Sequence, residues 1–317
     1  MEITLLKVHG SMNTFYLVDG PENENYGQLT LQLAQLDPSI DGLLAVLPSE
    51  KDQAKMKVFN RDGSEASMCG NGLRCVARYV CERDGLDSAI IETMKASLSV
   101  KKEQPLADGI AMYAVEISPV SFELKDLPMS YEEHTEWLMK PLPFMPDEIA
   151  FSAVAVPNPH LIGIVPAAYQ ENDAHQKKWA EMFNGPNDYF SDGVNVSYVT
   201  KVEDGIFVKT FERGVGFTNA CGTAMTASAL ISCLSGIVPY GEVTVYNPGG
   251  MVKCTVEEQG ESYRLALSGN ATYLSSHRFE WARQLEASRF LTVQHFEEQE
   301  GYQQFIDEIS MKARQFV

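Results

Sequence analysis

Two segments of the sequence carry the same series of landmarks, and this repetition constrains the possible fold most. Residues 59–72 read FNRDGSEASMCGNG, and residues 211–224 read FERGVGFTNACGTA. In both, a strand-like stretch ends in polar residues, a glycine-containing loop follows, and Cys-Gly opens an apolar segment. Upstream, Asn13 precedes TFYLVD and Asn158 precedes PHLIGIV. Two matched halves predict a duplicated domain, with the two copies facing a shared cleft.

Short alternating segments dominate the rest of the chain and predict an α+β fold with mostly antiparallel sheets. Strands are predicted at 2–9, 14–19, 54–60, 88–94, 110–117, 194–199, 205–211, 241–246, 251–257 and 261–268. Helices are predicted at 71–84 and 223–236, directly after the two cysteines, at 27–36 and 173–184, and twice between 278 and 316.

Composition and charge exclude several classes of function. The 317-residue chain has a formal net charge of −18, so a general basic surface for nucleic acid is absent, and anionic membranes should repel it. No apolar run is long enough to span a bilayer. The opening MEITLLKVHG lacks the basic and apolar regions of a signal peptide, so a cytoplasmic protein is expected.

Six cysteines could form three disulfides, but their wide spread in a chain of this size makes disulfides the weaker interpretation. No Cys/His cluster has zinc spacing, so no metal is expected. Cys75, Cys81, Cys233 and Cys254 are predicted to be packing residues, because they lie on apolar helix stripes or in a strand.

The remaining pair, Cys69 and Cys221, stands where acid/base chemistry is possible. A helix start presents unpaired N–H groups and the positive end of the helix dipole, which can hold a carboxylate. The same location is expected to lower a thiol pKa towards neutrality. Inversion of a stereocentre needs one group to remove a proton and another to donate one from the opposite face. The pair therefore predicts a racemase or epimerase.

Several residues near these motifs have ordinary alternatives. A single cysteine before a helix is more often a small buried hydrophobe, and a lone histidine such as His160 is usually structural. Glu212 and Arg213 could form a surface ion pair at a strand end. Arg74 and Arg78 are predicted to be solvated helix residues. Only the repeated pattern favours a catalytic role for the cysteines.

The motifs KVHGSMNTF, FNRDGSEASMCGNGLRC, VPNPH, GVNVSYV and FERGVGFTNACGTA together resemble the diaminopimelate epimerase family, from about residue 5 to about residue 275. The resemblance implies two pseudo-symmetric domains, each a sheet wrapped around a central helix, with the active-site cleft between them. The expected domains are 1–122 plus 268–317, and 123–267. It also implies catalysis without pyridoxal phosphate or another cofactor, and a homodimer.

By matching motif positions, the resemblance implies a set of site residues. Cys69 and Cys221 are the catalytic pair, and His160 and Glu212 support catalysis. Substrate-binding positions are Asn13, Asn60, Gly70, Asn71, Asn158, Asn195, Glu212, Arg213, Gly222 and Thr223. The chain departs from the commonest family pattern at Thr14, Gly42, Phe217 and Asn270, and residues 276–317 are expected to form an extra helical tail.

The implied reaction is interconversion of LL- and meso-diaminopimelate, a small-molecule substrate, in lysine and peptidoglycan precursor synthesis. A racemase of another amino acid, such as histidine, on the same scaffold is the alternative enzyme. A catalytically inactive amino-acid-binding protein is the alternative from another class, and the retained cysteine pair argues against it.

Overall fold

A computed structural model describes residues 1–105, 109–145, 149–260, 262–282 and 285–313 of the chain. The first residue of the strand predicted at 261–268 lies outside the described residues. So do residues 283–284 and 314–317 of the predicted tail.

The structure contains nineteen strands and six α-helices in its described parts. The strands are β1 (Glu2–Gly10), β2 (Asn13–Asp19), β3 (Gly42–Leu47), β4 (Ala54–Asn60), β5 (Glu65–Ala66), β6 (Ser88–Glu92), β7 (Ser97–Glu103), β8 (Met112–Glu116), β9 (Lys140–Pro141), β10 (Ala150–Ala155), β11 (Pro159–Ile164), β12 (Asn195–Val202), β13 (Gly205–Glu212), β14 (Gly216–Thr218), β15 (Gly241–Asn247), β16 (Gly250–Gln259), β17 (Ser262–Asn270), β18 (Thr272–Glu280) and β19 (Arg289–His295). The helices are α1 (Tyr26–Leu36), α2 (Gly70–Asp84), α3 (Ala168–Glu171), α4 (Asp173–Asn184), α5 (Gly222–Leu234) and α6 (Glu298–Ala313).

The chain divides into two compact units. Unit 1 comprises Met1–Glu116 and Ser268–Phe305, and unit 2 comprises Ile117–Leu267 and Ile306–Val317. The chain passes from unit 1 to unit 2 after Glu116, six residues before the domain boundary predicted at 122. The segment after Glu116 joins unit 2 because the Ile117 amide donates to the Leu265 carbonyl and Ser121 bridges to Ala155.

The two units repeat one topology. In unit 1, β1 and β2 are antiparallel, β2 and β3 are parallel with α1 between them, and β3 and β4 are antiparallel. Next come the short β5, the cysteine-initiated α2 and a parallel return to β6. In unit 2, β10 to β15 make the same pairings in the same order around α5. The predicted duplication and the mostly antiparallel α+β fold are confirmed.

Each unit is built on one buried helix. α2 begins at its N-cap Cys69 and ends at Gly85, whose φ of 69° is the left-handed geometry typical of a helix C-cap. Eleven of the first twelve residues after the cap are buried, and α2 contacts β1, β6, β7 and β8. α5 is buried from Ala224 to Cys233. A helix that is apolar on most faces belongs at the centre of a domain. Within the described ranges, no helix has the length and apolar character needed to cross a membrane.

The tail differs from the sequence prediction. Where two helices were predicted, its described residues contain one α-helix, α6, and a three-residue 3₁₀ helix at Leu285–Ala287, and residues 276–280 continue the strand β18. The segment Arg289–His295 is strand β19, paired antiparallel with β18. The helical prediction failed here because RFLTVQH is rich in aromatic and β-branched residues, and Phe290 packs against Phe279 in the unit 1 core.

The prediction that Arg74 and Arg78 are solvated was also wrong. Arg74 is fully buried and Arg78 is 8% exposed. The Arg78 guanidinium forms a two-pronged ion pair with Glu298 at the start of α6, with N–O distances of 2.6 and 2.7 Å, and stacks on the Tyr273 ring. The C-terminal helix is therefore attached to the central helix of unit 1 by a partly buried charge pair.

Glu298→Gln is expected to lower the free energy of unfolding by about 1.5–3 kcal/mol, because it removes the charge that compensates a buried guanidinium. Glu242→Gln is the matched control, since Glu242 is 57% exposed and pairs with Lys253 at the surface. That variant should change stability by less than about 1 kcal/mol. Urea denaturation measures both, and equal effects would contradict a structural role for the Arg78–Glu298 pair.

Candidate active site

The first cysteine lies at the start of α2 with its thiol directed to the helix end. Cys69 has extended backbone angles, and its Sγ accepts the Gly72 amide at 3.4 Å, as an N-cap side chain does. The following glycine and asparagine open the helix, and both are buried. A Cβ at Gly72 would stand 2.6 Å from Leu44, so glycine is required for this close packing. The amides of the first turn are placed to receive an anion.

Asn13 contacts this thiol from the start of β2. The Cys69 Sγ donates to Asn13 Oδ1 at 3.6 Å, while Asn13 Nδ2 donates to the Asp41 carboxylate at 2.8 Å. The same carboxylate accepts the Thr14 amide. Asp41 therefore fixes the orientation of the Asn13 amide. The sequence analysis missed Asp41, because only the parallel pairing of β2 with β3 brings it beside Asn13.

Asn60 ends β4 at the same edge of the unit 1 sheet. It pairs in register with Gly42, and its side chain donates to Ser64 in the following turn. Gly42 is one of the departures from the family pattern, and its place between the two strands explains why a glycine occurs there. A Cβ there would lie 2.1 Å from the Phe59 carbonyl oxygen, so β3 and β4 approach each other in a way that only glycine permits.

The second cysteine occupies the equivalent position before α5. Cys221 is 7% exposed, and its Sγ lies 3.5 Å from the Thr223 hydroxyl. Burial raises the pKa of this thiol well above its ordinary value, and the nearby Glu212 carboxylate raises it further. The Thr223 hydroxyl and the Ala224 amide oppose this shift. The expected lowering by the helix start was wrong for Cys221, because desolvation and a neighbouring negative charge outweigh the helix end.

A hydrogen bond from the neighbouring strand β14 fixes the side chain of Glu212. Glu212 ends β13, and its carboxylate accepts a short hydrogen bond from the Thr218 hydroxyl. Phe217 of β14 packs edge-on against Phe211 of β13, with ring centroids 5.2 Å apart. The departure at Phe217 thus stabilises the β13–β14 hairpin that carries Glu212. Thr218 also escaped the sequence analysis, since threonine at a strand end has no distinguishing pattern.

His160 is fully buried on β11. Burial lowers its pKa to about 3, so the imidazole is neutral at physiological pH. Its Nε2 lies 3.1 Å from Asn158 Oδ1, and the Asn158 carbonyl accepts the Val156 amide. This arrangement suits a residue that orients Asn158. It does not suit the general acid/base role that a catalytic histidine would have.

Asn195 and Arg213 complete the polar end of the unit 2 sheet. Asn195 begins β12 beside His160 in the parallel pairing, and its Oδ1 accepts the Arg213 amide at 2.9 Å. The Arg213 guanidinium is exposed and donates to the Asp192 carbonyl at 2.8 Å. These residues are joined to Asn158 and Glu212 by neighbouring strand ends. Unit 2 therefore gathers its predicted site residues at one edge.

The other cysteines differ from this pair. Cys75, Cys81, Cys233 and Cys254 are buried inside helices or a strand, and all six cysteines are free thiols. Burial raises the pKa of Cys75 to about 12 and that of Cys233 to about 11. The two cysteines at helix starts contact polar residues of the predicted site, Asn13 for Cys69 and Glu212 for Cys221.

A sequence model of the family described as diaminopimelate epimerase matches residues 5–112 and 152–274. The chain belongs to the diaminopimelate epimerase family. A diaminopimelate epimerase of Listeria welshimeri is 45% identical over 323 residues, covering 97% of both chains. One from Enterococcus faecalis is 43% identical over 330 residues, covering 98% of this chain and all of that relative. The resemblance stated from the motifs is confirmed, and so is the prediction of an isomerase.

Solved structures show the same fold at low identity. A phenazine biosynthesis protein of the PhzF family from Bacillus anthracis superposes with a TM-score of 0.65 at 17% identity, over 89% of this chain and all of that one. A hydroxyproline epimerase from Agrobacterium vitis gives 0.59 at 13% identity, over 87% and 90%. The two-domain fold expected of the diaminopimelate epimerase family is confirmed.

Glu212→Gln is expected to lower the pKa of the Cys221 thiol, because a neighbouring negative charge disfavours the thiolate. The thiol should nevertheless stay above its ordinary pKa, since burial is the larger cause. The rate at which iodoacetamide alkylates Cys221 at mildly alkaline pH, followed by mass spectrometry of its peptide, measures this, because only the thiolate reacts and its fraction should rise in the variant. Glu257→Gln, at an exposed site, is the control. An unchanged alkylation rate in Glu212→Gln would contradict the electrostatic contact.

Proposed function

We propose that this protein interconverts LL- and meso-diaminopimelate by proton transfer between two cysteine side chains. The observation that carries the proposal is the placement of Cys69 and Cys221 at the N-caps of topologically equivalent helices. Relatives at 43–45% identity are diaminopimelate epimerases, and this similarity supplies the substrate of the proposal. The reaction would serve lysine and peptidoglycan precursor synthesis.

The first step in this proposal breaks the Cα–H bond. A Cys69 thiolate takes the proton, and the electron pair is delocalised into the substrate carboxylate. The Cys221 thiol then gives its proton to the opposite face of the carbon and becomes a thiolate. Burial and the Glu212 carboxylate, which keep Cys221 protonated, support its role as the donor in this direction. The reverse reaction exchanges the two roles.

The carbanion needs stabilisation where its charge develops. We assign the reacting carboxylate to the amides that open the helices, at Gly70 and Asn71 in unit 1 and at Gly222 and Thr223 in unit 2. Preorganised N–H groups at a helix start stabilise such a charge without reorganising during the reaction. The proposal therefore needs no cofactor or metal to stabilise the carbanion.

Selection of diaminopimelate requires partners for its distal ammonium and carboxylate, because unpaired charges are costly to bury. We assign this recognition to the amides of Asn60, Asn158 and Asn195 and to Arg213. Asn13, which contacts Cys69, would bind near the reacting carbon. The planar guanidinium of Arg213 offers the geometry that binds a carboxylate through two hydrogen bonds. His160 and Glu212 hold Asn158 and Cys221, respectively.

A homodimer in the cytoplasm completes the proposal. Six free thiols, two of them needed in reduced form, are compatible with a reducing compartment. Light scattering after size-exclusion chromatography would test the dimer, and a monomeric mass at working concentration would refute it.

Cys69→Ala and Cys221→Ala should each lower the epimerisation rate by more than about a thousandfold, because each removes a required proton carrier. Cys75→Ala and Cys233→Ala are matched controls, as they change buried thiols that lie inside α2 and α5. They should mainly reduce stability. Turnover near the wild-type rate in either of the first two variants would refute the two-cysteine mechanism.

Substrate selection is tested by comparing kcat/KM for LL-diaminopimelate, L-lysine and L-histidine. A site that pairs both distal charges should reject lysine by about 10⁴-fold or more, because lysine leaves its carboxylate partner unpaired. Arg213→Lys should lower kcat/KM for diaminopimelate, since an ammonium cannot reproduce the guanidinium fork. If L-histidine were turned over as well as LL-diaminopimelate, the substrate assignment would be refuted and the alternative amino-acid racemase would be favoured.

A further inference from the structure

The turn between β1 and β2 is unusual for its residues. Ser11 and Met12 form a two-residue hairpin loop with φ values of 51° and 64°, and Gly10 pairs with Asn13 across it. Positive φ at both positions is the pattern of a type I′ turn, which normally takes Asn-Gly. Serine and methionine disfavour this geometry. Other parts of the fold must therefore stabilise the loop, which we call the Ser11–Met12 turn.

Asn270 and Arg74 provide part of that stabilisation. Asn270 Oδ1 accepts the Ser11 amide at 2.8 Å, and Arg74 donates to the Ser11 hydroxyl at 2.9 Å and to the Asn270 carbonyl at 3.1 Å. Asn270 is buried and also donates to the Thr272 hydroxyl. This asparagine, one of the departures from the commonest family pattern, therefore places a side-chain acceptor against the turn.

His9 stabilises the other residue of the turn. Its Nδ1 accepts the Met12 amide at 3.3 Å, so the ring proton must reside on Nε2. Nε2 in turn donates to Oε1 of Gln299, in the first turn of α6, at 2.8 Å. Burial lowers the pKa of His9 to about 4, which keeps the ring neutral and Nδ1 able to accept. Gln299 thus selects the tautomer that the turn requires.

The turn leads directly into the site. Asn13 follows it and presents Oδ1 to the Cys69 thiol at 3.6 Å. We propose that Gln299, in the C-terminal helix, is a positioning residue for Cys69. It acts through His9 and the Ser11–Met12 turn, which determine where the Asn13 amide stands. The catalytic part of this inference rests on the proposed function, whereas the structural coupling to the thiol does not.

The coupling can be measured without substrate. Cys69 alkylation by iodoacetamide is followed by mass spectrometry of its peptide in the wild type and in Gln299→Ala. The variant should react about fivefold faster, the factor expected when the thiol loses roughly one hydrogen-bond acceptor. Gln304→Ala is the matched control, because Gln304 is exposed on the same helix. It should react at the wild-type rate.

Gln299→Glu keeps an acceptor for His9 Nε2 and should restore slow alkylation at mildly alkaline pH. Epimerase assays on the same variants should show a fall in kcat of about tenfold for Gln299→Ala, with a smaller change in KM, because the thiol and substrate are misaligned. Equal alkylation rates in Gln299→Ala and Gln304→Ala would overturn the inference. Altered alkylation without any epimerase activity in the wild type would refute the proposed function instead.

Discussion

Each unit depends on burying one helix inside its sheet, with the start of that helix left at the sheet edge. α2 and α5 are in contact with strands on several sides, so their side chains must be small or apolar for most of their length. The first-turn amides have no partners within the helix and must be satisfied at the edge. In α2 the N-cap Cys69 meets that requirement in part, by accepting the Gly72 amide, and in both units a thiol lies beside amides of the kind that bind a carboxylate. The position of each thiol follows from the packing of its helix.

The two cysteines share a position but not an environment. Cys69 accepts the Gly72 amide and donates to an asparagine that Asp41 orients. Cys221 is more deeply buried and lies next to the Glu212 carboxylate, which opposes its ionisation. Duplication would have produced two similar half-sites, and the surrounding residues have made them different. Such a difference suits a reaction in which one thiol must hold a proton while the other lacks it.

The units also differ in how their central helices are anchored. α5 has threonine and leucine, Thr226 and Leu230, at the positions that correspond to Arg74 and Arg78 in α2, counted from each cysteine. The two buried arginines require partners, which come from β17, the β1–β2 turn and the start of α6. The C-terminal segment as far as Phe305 thus belongs to unit 1, because Glu298 compensates a buried charge and Phe290 packs into the core.

The sequence by itself determined the duplication, the family, the α+β class and the two cysteine-initiated helices. These features are encoded locally, by strand alternation, by helix periodicity and by motifs at fixed spacing. The bounds of α2 and α5 were predicted within two residues for the same reason. Tertiary structure alone decided the strand β19, the burial of Arg74 and Arg78 and the hydrogen-bond partners of Asp41, Thr218 and Gln299. It also decided the raised pKa of Cys221 and the neutral state of His160. Each of these features depends on desolvation or on contacts with residues distant in the chain. A local sequence pattern determines neither the desolvation nor the contacts.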